Sequence, residues 1–203
     1  DGRLVQGYMF IHYRDAFSHK PGHNPGGSGA PATNKCYSFL ANGAKWKSGE
    51  NYLVNSTNSE DLTDSFVRSS VANALSKWED AANGTVGDGT SKNILGDEAA
   101  GLVDGADTAS PDGKNEVMFG DIDSTGAIAV TIVWGIFSGP PSGRALVEWD
   151  QVYDQVDFDW SAAGEAGKMD FDNILTHEHG HAFGMGHPDD SCTQETMFRF
   201  AQT

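Results

Sequence analysis

Apolar side chains recur every three or four positions in two stretches of this chain, and in short runs or alternation elsewhere. Over residues 58–82, Leu62, Phe66, Val67, Val71, Ala74, Leu75 and Trp78 share one side of a 3.6-residue repeat, which predicts a helix with one buried face. Asn58 or Ser59 can cap its start, Glu60 and Asp61 suit the positive end of its dipole, and Asn83-Gly84 suits its end. A second helix is predicted from Asp170, a candidate cap, through Ile174-Leu175 to about Phe183. Strands are predicted around residues 36–40 and 52–55, at 117–119, over the β-branched run 127–134, and over 152–160, where positions 152, 156, 158 and 160 are apolar. The run Tyr8-Met9-Phe10-Ile11 is apolar, and the stretch after it turns polar and glycine-rich. Helices and strands are mixed without β-α alternation, which predicts an α+β fold with a mixed sheet of about five strands.

The chain has 203 residues, enough for one domain with a real core and too few for two ordinary ones. The longest apolar stretch, 127–137, is interrupted by Thr131 and Gly135 and falls well short of the roughly 20 residues of a membrane helix, so no membrane span is expected. Acidic residues number 29 against 13 basic ones, a formal net charge of −16. No Lys/Arg cluster is present, which argues against nucleic acid and anionic membrane surfaces as partners. The first residue is Asp1 rather than Met, the expectation being a processed or trimmed chain.

Chemistry concentrates in residues 177–187, His-Glu-His-Gly-His-Ala-Phe-Gly-Met-Gly-His. On a helix His177 and His181 share one face, about 6 Å apart along the axis, so both imidazoles can reach one metal ion. Glu178 points beside that metal, where a general base for an activated water belongs. Gly184 can break the helix in a left-handed conformation, letting His187 return as a third nitrogen ligand. Three imidazoles and an open position describe a catalytic zinc site rather than a closed structural one. His179 lies about 200° round the helix from His177 and is expected at the surface or behind the ligands, not on the metal.

The pattern H-E-x-x-H-x-x-G-x-x-H resembles the signature of metzincin zinc metalloproteases. Within that group the chain looks most like the matrixins, over most of residues 36–200. The resemblance implies a single metallopeptidase domain over 1–203: an N-terminal extension 1–35, an upper subdomain 36–183 and an incomplete lower subdomain 184–203. It implies a secreted, monomeric zinc endopeptidase acting on proteins or peptides. One zinc would be held by His177, His181 and His187, and Glu178 would serve as general base. Met197 is the methionine placed for a tight turn beneath the metal. A substrate would lie extended along the edge strand at 127–134, adding a strand by main-chain hydrogen bonds. The sequence departs from the matrixins at several points. Histidines outside the motif fall only at 12, 19 and 23, and Thr131 stands on the presumed edge strand, so no second, structural zinc is expected. Cys36 lacks the Pro-Arg flank of a cysteine switch, and Phe198-Arg199-Phe200 replaces the usual Pro-x-Tyr. Six residues follow Met197, so the chain is expected to be trimmed there.

Cys36 and Cys192 are expected to form a disulfide that pins residues 188–196, with two free thiols or a zinc-binding Cys36 as competitors. Asp121-Ile122-Asp123 opens like an EF-hand loop but lacks its later ligands. A calcium site of another type stays open, because Asp88, Asp97, Asp104, Asp107, Asp112, Asp121 and Asp123 all fall in loops; solvated carboxylates are the alternative. His12, His19 and His23 could bind a metal together, but as loop histidines without helical spacing they are expected to be ordinary surface residues. The rival function is a zinc-stabilised binding module without catalysis, against which the presence of Glu178 argues.

Overall fold

A computed structural model describes residues 3–14, 36–82 and 92–201. In chain order the elements are β1 (Gln6–Tyr13), β2 (Ser38–Phe39), β3 (Tyr52–Val54), α1 (Asp64–Ala82), β4 (Asn115–Gly120), β5 (Ala127–Ile136), β6 (Ala145–Asp154), β7 (Trp160–Ser161), β8 (Met169–Asp170), α2 (Phe171–Ala182) and β9 (Met185–Gly186). The architecture is α+β. One five-stranded mixed sheet has the order β1-β5-β6-β4-β3, and β2-β9 and β7-β8 form small ladders. β3, β4 and β6 are parallel, whereas β1, β5 and β6 alternate in direction.

Both helices pack together on one face of the sheet. Val67, Val71, Ala74 and Leu75 of α1 are buried at the three-and-four spacing read from the sequence. Phe171 opens α2 in an aromatic cluster, its ring 5.3 Å from those of Phe119 and Tyr153 and 5.7 Å from that of Trp160. Asp170 caps α2 as expected, its carboxylate accepting from the Asn173 N–H at 2.9 Å. Gly184 has φ +88°, and its N–H donates to the His181 carbonyl, which ends the helix.

Several boundaries differ from expectation for identifiable reasons. α1 starts at Asp64, not near 58. Asn58 turns its side chain to accept from the Glu60 and Leu62 N–H groups, and Thr63 Oγ1 takes the Phe66 N–H as the cap. The strand expected over 152–160 ends at Asp154, whose Oδ1 accepts from the Val156 and Asp157 N–H groups and folds the chain away from the sheet. The Asn83-Gly84 stop, His19, His23 and Asp88 lie outside the described residues.

The largest correction concerns the N-terminal segment and the sheet edge. Residues 6–13 are a sheet strand, and β5, expected at the edge, is covered by it. The register Phe10↔Thr131 puts Tyr8, Phe10 and His12 on the helix face of the sheet, with Met9 and Ile11 on the other.

Cys36 and Cys192 are joined in a disulfide, with no free cysteine among the described residues. The bridge ties the entry to β2 to the segment that leads to Met197. Thiol titration of denatured, unreduced protein should find no reactive thiol, and a Cys36→Ser/Cys192→Ser variant should lose about 2–5 kcal/mol of stability. Two reactive thiols would contradict the bridge.

Candidate metal centre

α2 is almost wholly buried, so its polar side chains must find their partners inside the protein. His177 and His181 are 1% and 0% exposed. The Nδ1 of His177 lies 2.7 Å from the Thr196 carbonyl oxygen, and the Nδ1 of His181 lies 2.9 Å from that of Met185. A carbonyl only accepts, so Nδ1–H is the donor in each ring and Nε2 keeps its lone pair free. After Gly184 the chain returns His187, whose Nε2 sits 3.3 Å from that of His177 and 3.2 Å from that of His181. Ser38 Oγ, on β2, donates to the His187 carbonyl at 2.7 Å and fixes that return. Three ring nitrogens thus converge on one point, the arrangement that can hold a metal ion. Burial pushes His177 down to about 3 and His187 to about 2, and lowers His181 well below the usual imidazole range. All three are therefore neutral, the form that binds metal.

Glu178 is fully buried beside the triad. Its Oε2 accepts from Thr131 Oγ1 at 2.6 Å, and its Oε1 lies 3.1 Å from His12 Nδ1. Desolvation raises its pKa above the ordinary carboxylate range. Met197 is buried against Gly180, where a Cβ would run into Met197 Sδ and lie 2.7 Å from Trp78 Cζ2. A cavity opens beside His177, lined by Ile174 of α2 and by Thr193, Glu195, Phe198 and Phe200.

Two histidines are not where the sequence suggested. His12, expected at the surface, is buried, with its ring stacked 3.9 Å from that of His177. The period-two pattern Tyr8, Phe10, His12 was the available signal, masked by the apolar Met9 and Ile11 between them. His179 is also fully buried, on the far side of α2 against Trp149, with Nδ1–H donating to the Leu175 carbonyl at 2.9 Å. It stays off the metal point as expected, but as a core residue.

A second cluster lies on the opposite face of the sheet. Carboxylate oxygens of Asp107, Glu148 and Asp150 approach within 4.8 Å of one another, and Glu116 pairs in register with Asp150. Backbone N–H groups reach in: Asp107 to Asp150, Gly113 to Glu148, and Asp104 and Gly105 to Glu116. Lys114 pairs instead with Asp104 and Asp112. Glu148 is 1% exposed, yet its Oε1 finds no donor, nor does Asp107 Oδ2. Burial and the neighbouring carboxylates push Asp150 up to about 8 and Glu148 to about 7. Of the loop aspartates noted in the sequence only Asp107 contributes to this trio. Glu148 and Asp150 were missed because they sit inside a strand, two residues apart on one face.

Compared with known proteins, the chain matches no family model and no curated protein. Among the described residues no helix is long and apolar enough to cross a membrane.

Two outcomes follow from these contacts. Gly180→Ala should cost about 1–3 kcal/mol, because the new methyl meets Met197 and Trp78 in a closed core; unchanged thermal stability would contradict that packing. In metal-free protein, Asp150 has a folded pKa of about 8 against 3.8 unfolded, so the native state holds the extra proton between those values. Stability must then fall as pH rises from about 4 to 8, relative to Asp150→Asn, by a few kcal/mol at most, on the order of what such a shift allows. Denaturant titrations of both proteins across that window check it, and a pH-independent difference would contradict it.

Proposed function

We propose that this protein is a zinc endopeptidase, in which His177, His181 and His187 hold one catalytic zinc and Glu178 is the general base. The observation that carries the reading is the convergence of the Nε2 atoms of three neutral imidazoles beside a buried carboxylate, with Nδ1–H of His177 and His181 engaged by backbone carbonyls. Three nitrogen donors suit zinc and leave a position open for substrate or water. Zinc held there would polarise a peptide carbonyl and make water nucleophilic near neutral pH. Glu178, with its raised pKa, takes a proton from the attacking water and returns it to the departing amine. Thr131 orients the Glu178 carboxylate through Oε2, leaving Oε1 as the oxygen that exchanges the proton once His12 is displaced. Met197 forms an apolar floor that packs α2 from below, as the resemblance to metzincins implies. The disulfide suits an oxidising, extracellular setting.

The acidic cluster supports a second metal reading. Its orphaned buried oxygens, with Lys114 drawn off to Asp104 and Asp112, suit a hard divalent cation with oxygen ligands, calcium being the best match.

Replacement of Glu178 by Ala should leave one zinc bound per chain and reduce peptide hydrolysis by about 10²–10⁴-fold or more. Zinc content by mass spectrometry and cleavage of a casein or peptide-library substrate, with and without chelator, test both halves. Chelator-resistant hydrolysis, or full activity in the variant, would sink the mechanism. A zinc-bound protein with no hydrolysis of any peptide would favour the binding-module alternative.

A further inference from the structure

We infer that β1 is a removable occupant of the substrate groove, so that the chain as it stands is held latent by its own N-terminal strand. The inference rests on the peptidase reading above and adds its regulation.

β5 is the strand along which an extended substrate is expected, and β1 lies there, antiparallel to β5 from Gln6↔Gly135 to Tyr13↔Ala127. On its other side the strand meets the C-terminal segment. Tyr13 bridges Phe200 in parallel, and the Ala201 N–H donates to the Tyr13 carbonyl at 3.1 Å. A peptide held by main-chain bonds from both walls of a groove is the strand-addition mode of recognition.

Beneath it sits the whole proposed machinery. The Phe10 ring lies flat on His181 with centroids 3.8 Å apart, and meets His187 edge-on at 5.8 Å. His12 stacks on His177, contacts Glu178 Oε1 through Nδ1, and lines the cavity beside the triad. With Thr131 on Oε2 and His12 on Oε1, Glu178 has both oxygens engaged and no exposure to solvent. A base in that state reaches neither water nor substrate.

The strand is also weakly built into the core. Of its eight residues only His12 is buried; Met9 is half exposed, and Tyr8 and Phe10 pack against the core only in part. A structural strand at the centre of a fold would be buried on both faces; this one is a peripheral strap, and of its inward side chains Phe10 and His12 cover the metal centre while Tyr8 packs on Phe137. Displacing it exposes the β5 edge, Glu178 and the three imidazoles together.

The test uses the full zinc-loaded chain carrying a site-specific protease sequence in place of residues 24–30, so that β1 can be cut free while Cys36 stays bonded to Cys192. Two readouts are taken before cutting, and after cutting and removal of the fragment: peptide hydrolysis, and the rate at which a competing chelator extracts zinc. Both should rise at least 10-fold on removal. A synthetic peptide of residues 3–14 should restore the low values saturably, and the same peptide with Phe10 and His12 replaced by Ala should not. Equal zinc extraction before and after removal would overturn the inference, as would unfolding of the trimmed chain by circular dichroism, since β1 would then be an integral strand. Faster, peptide-reversible zinc extraction without hydrolysis in any form would leave the strap standing and refute the peptidase reading.

Discussion

The structure depends on one constraint: two uncharged imidazoles and a carboxylate on one helix, and a third imidazole returned to them by the chain beyond it, must meet where water is excluded. α2 meets it by being enclosed on several sides, by α1, by the sheet and by the return through β9. The two rings on the helix are then oriented by backbone carbonyls rather than by solvent, Thr196 for His177 and Met185 for His181. Indole donors tie the helix in the same way: Trp46 Nε1–H donates to the Ala182 carbonyl at its C-terminal end, and Trp78 Nε1–H to that of Thr176 at its middle. The disulfide at Cys192 holds the segment that supplies Thr196 and Met197, which links an unstructured-looking stretch of sequence to the geometry of a ligand. Burial that would merely penalise a histidine elsewhere serves here to keep the nitrogens unprotonated.

The sheet separates two chemistries. β5 and β6 run side by side with Thr131 opposite Gln151 on the helix face, and Ile132 opposite Asp150 on the other. A one-residue slip would send Thr131 away from Glu178 and turn Asp150 into the helix layer, so the register is fixed by both clusters at once. The imidazole side offers neutral nitrogens and suits a borderline metal, whereas the other side gathers carboxylate oxygens and suits a hard one. The overall excess of acidic residues is thus partly local: Glu116, Glu148 and Asp150 are buried, not spread for solubility.

What could be read from the sequence was set by the range of the signal. The helix-borne constellation His177, Glu178, His181 with Gly184 and His187 was legible because its geometry is local, fixed by the helical repeat and one left-handed glycine. The cap at Asp170 and the buried stripe of α1 were legible for the same reason. The start of α1 was misplaced because Asn58 competes for backbone donors within its own loop, a choice that periodicity does not report. Strand partners were not legible. Nothing in residues 6–13 says that they lie against 127–136 rather than in an extension, and the role of His12 follows only from that pairing. The acidic cluster joins a loop residue to two strand residues about forty positions away and has the same non-local origin.

The most direct measurement is X-ray absorption at the zinc edge of the zinc-loaded protein. Three imidazole nitrogens at about 2.0–2.1 Å, with the outer-shell scattering of histidine rings and a further light atom, are the expected result. The signal should fall to two imidazoles in a His187→Ala variant. A sulfur shell, or a histidine count unchanged by that substitution, would contradict the assignment of His177, His181 and His187 as the ligands.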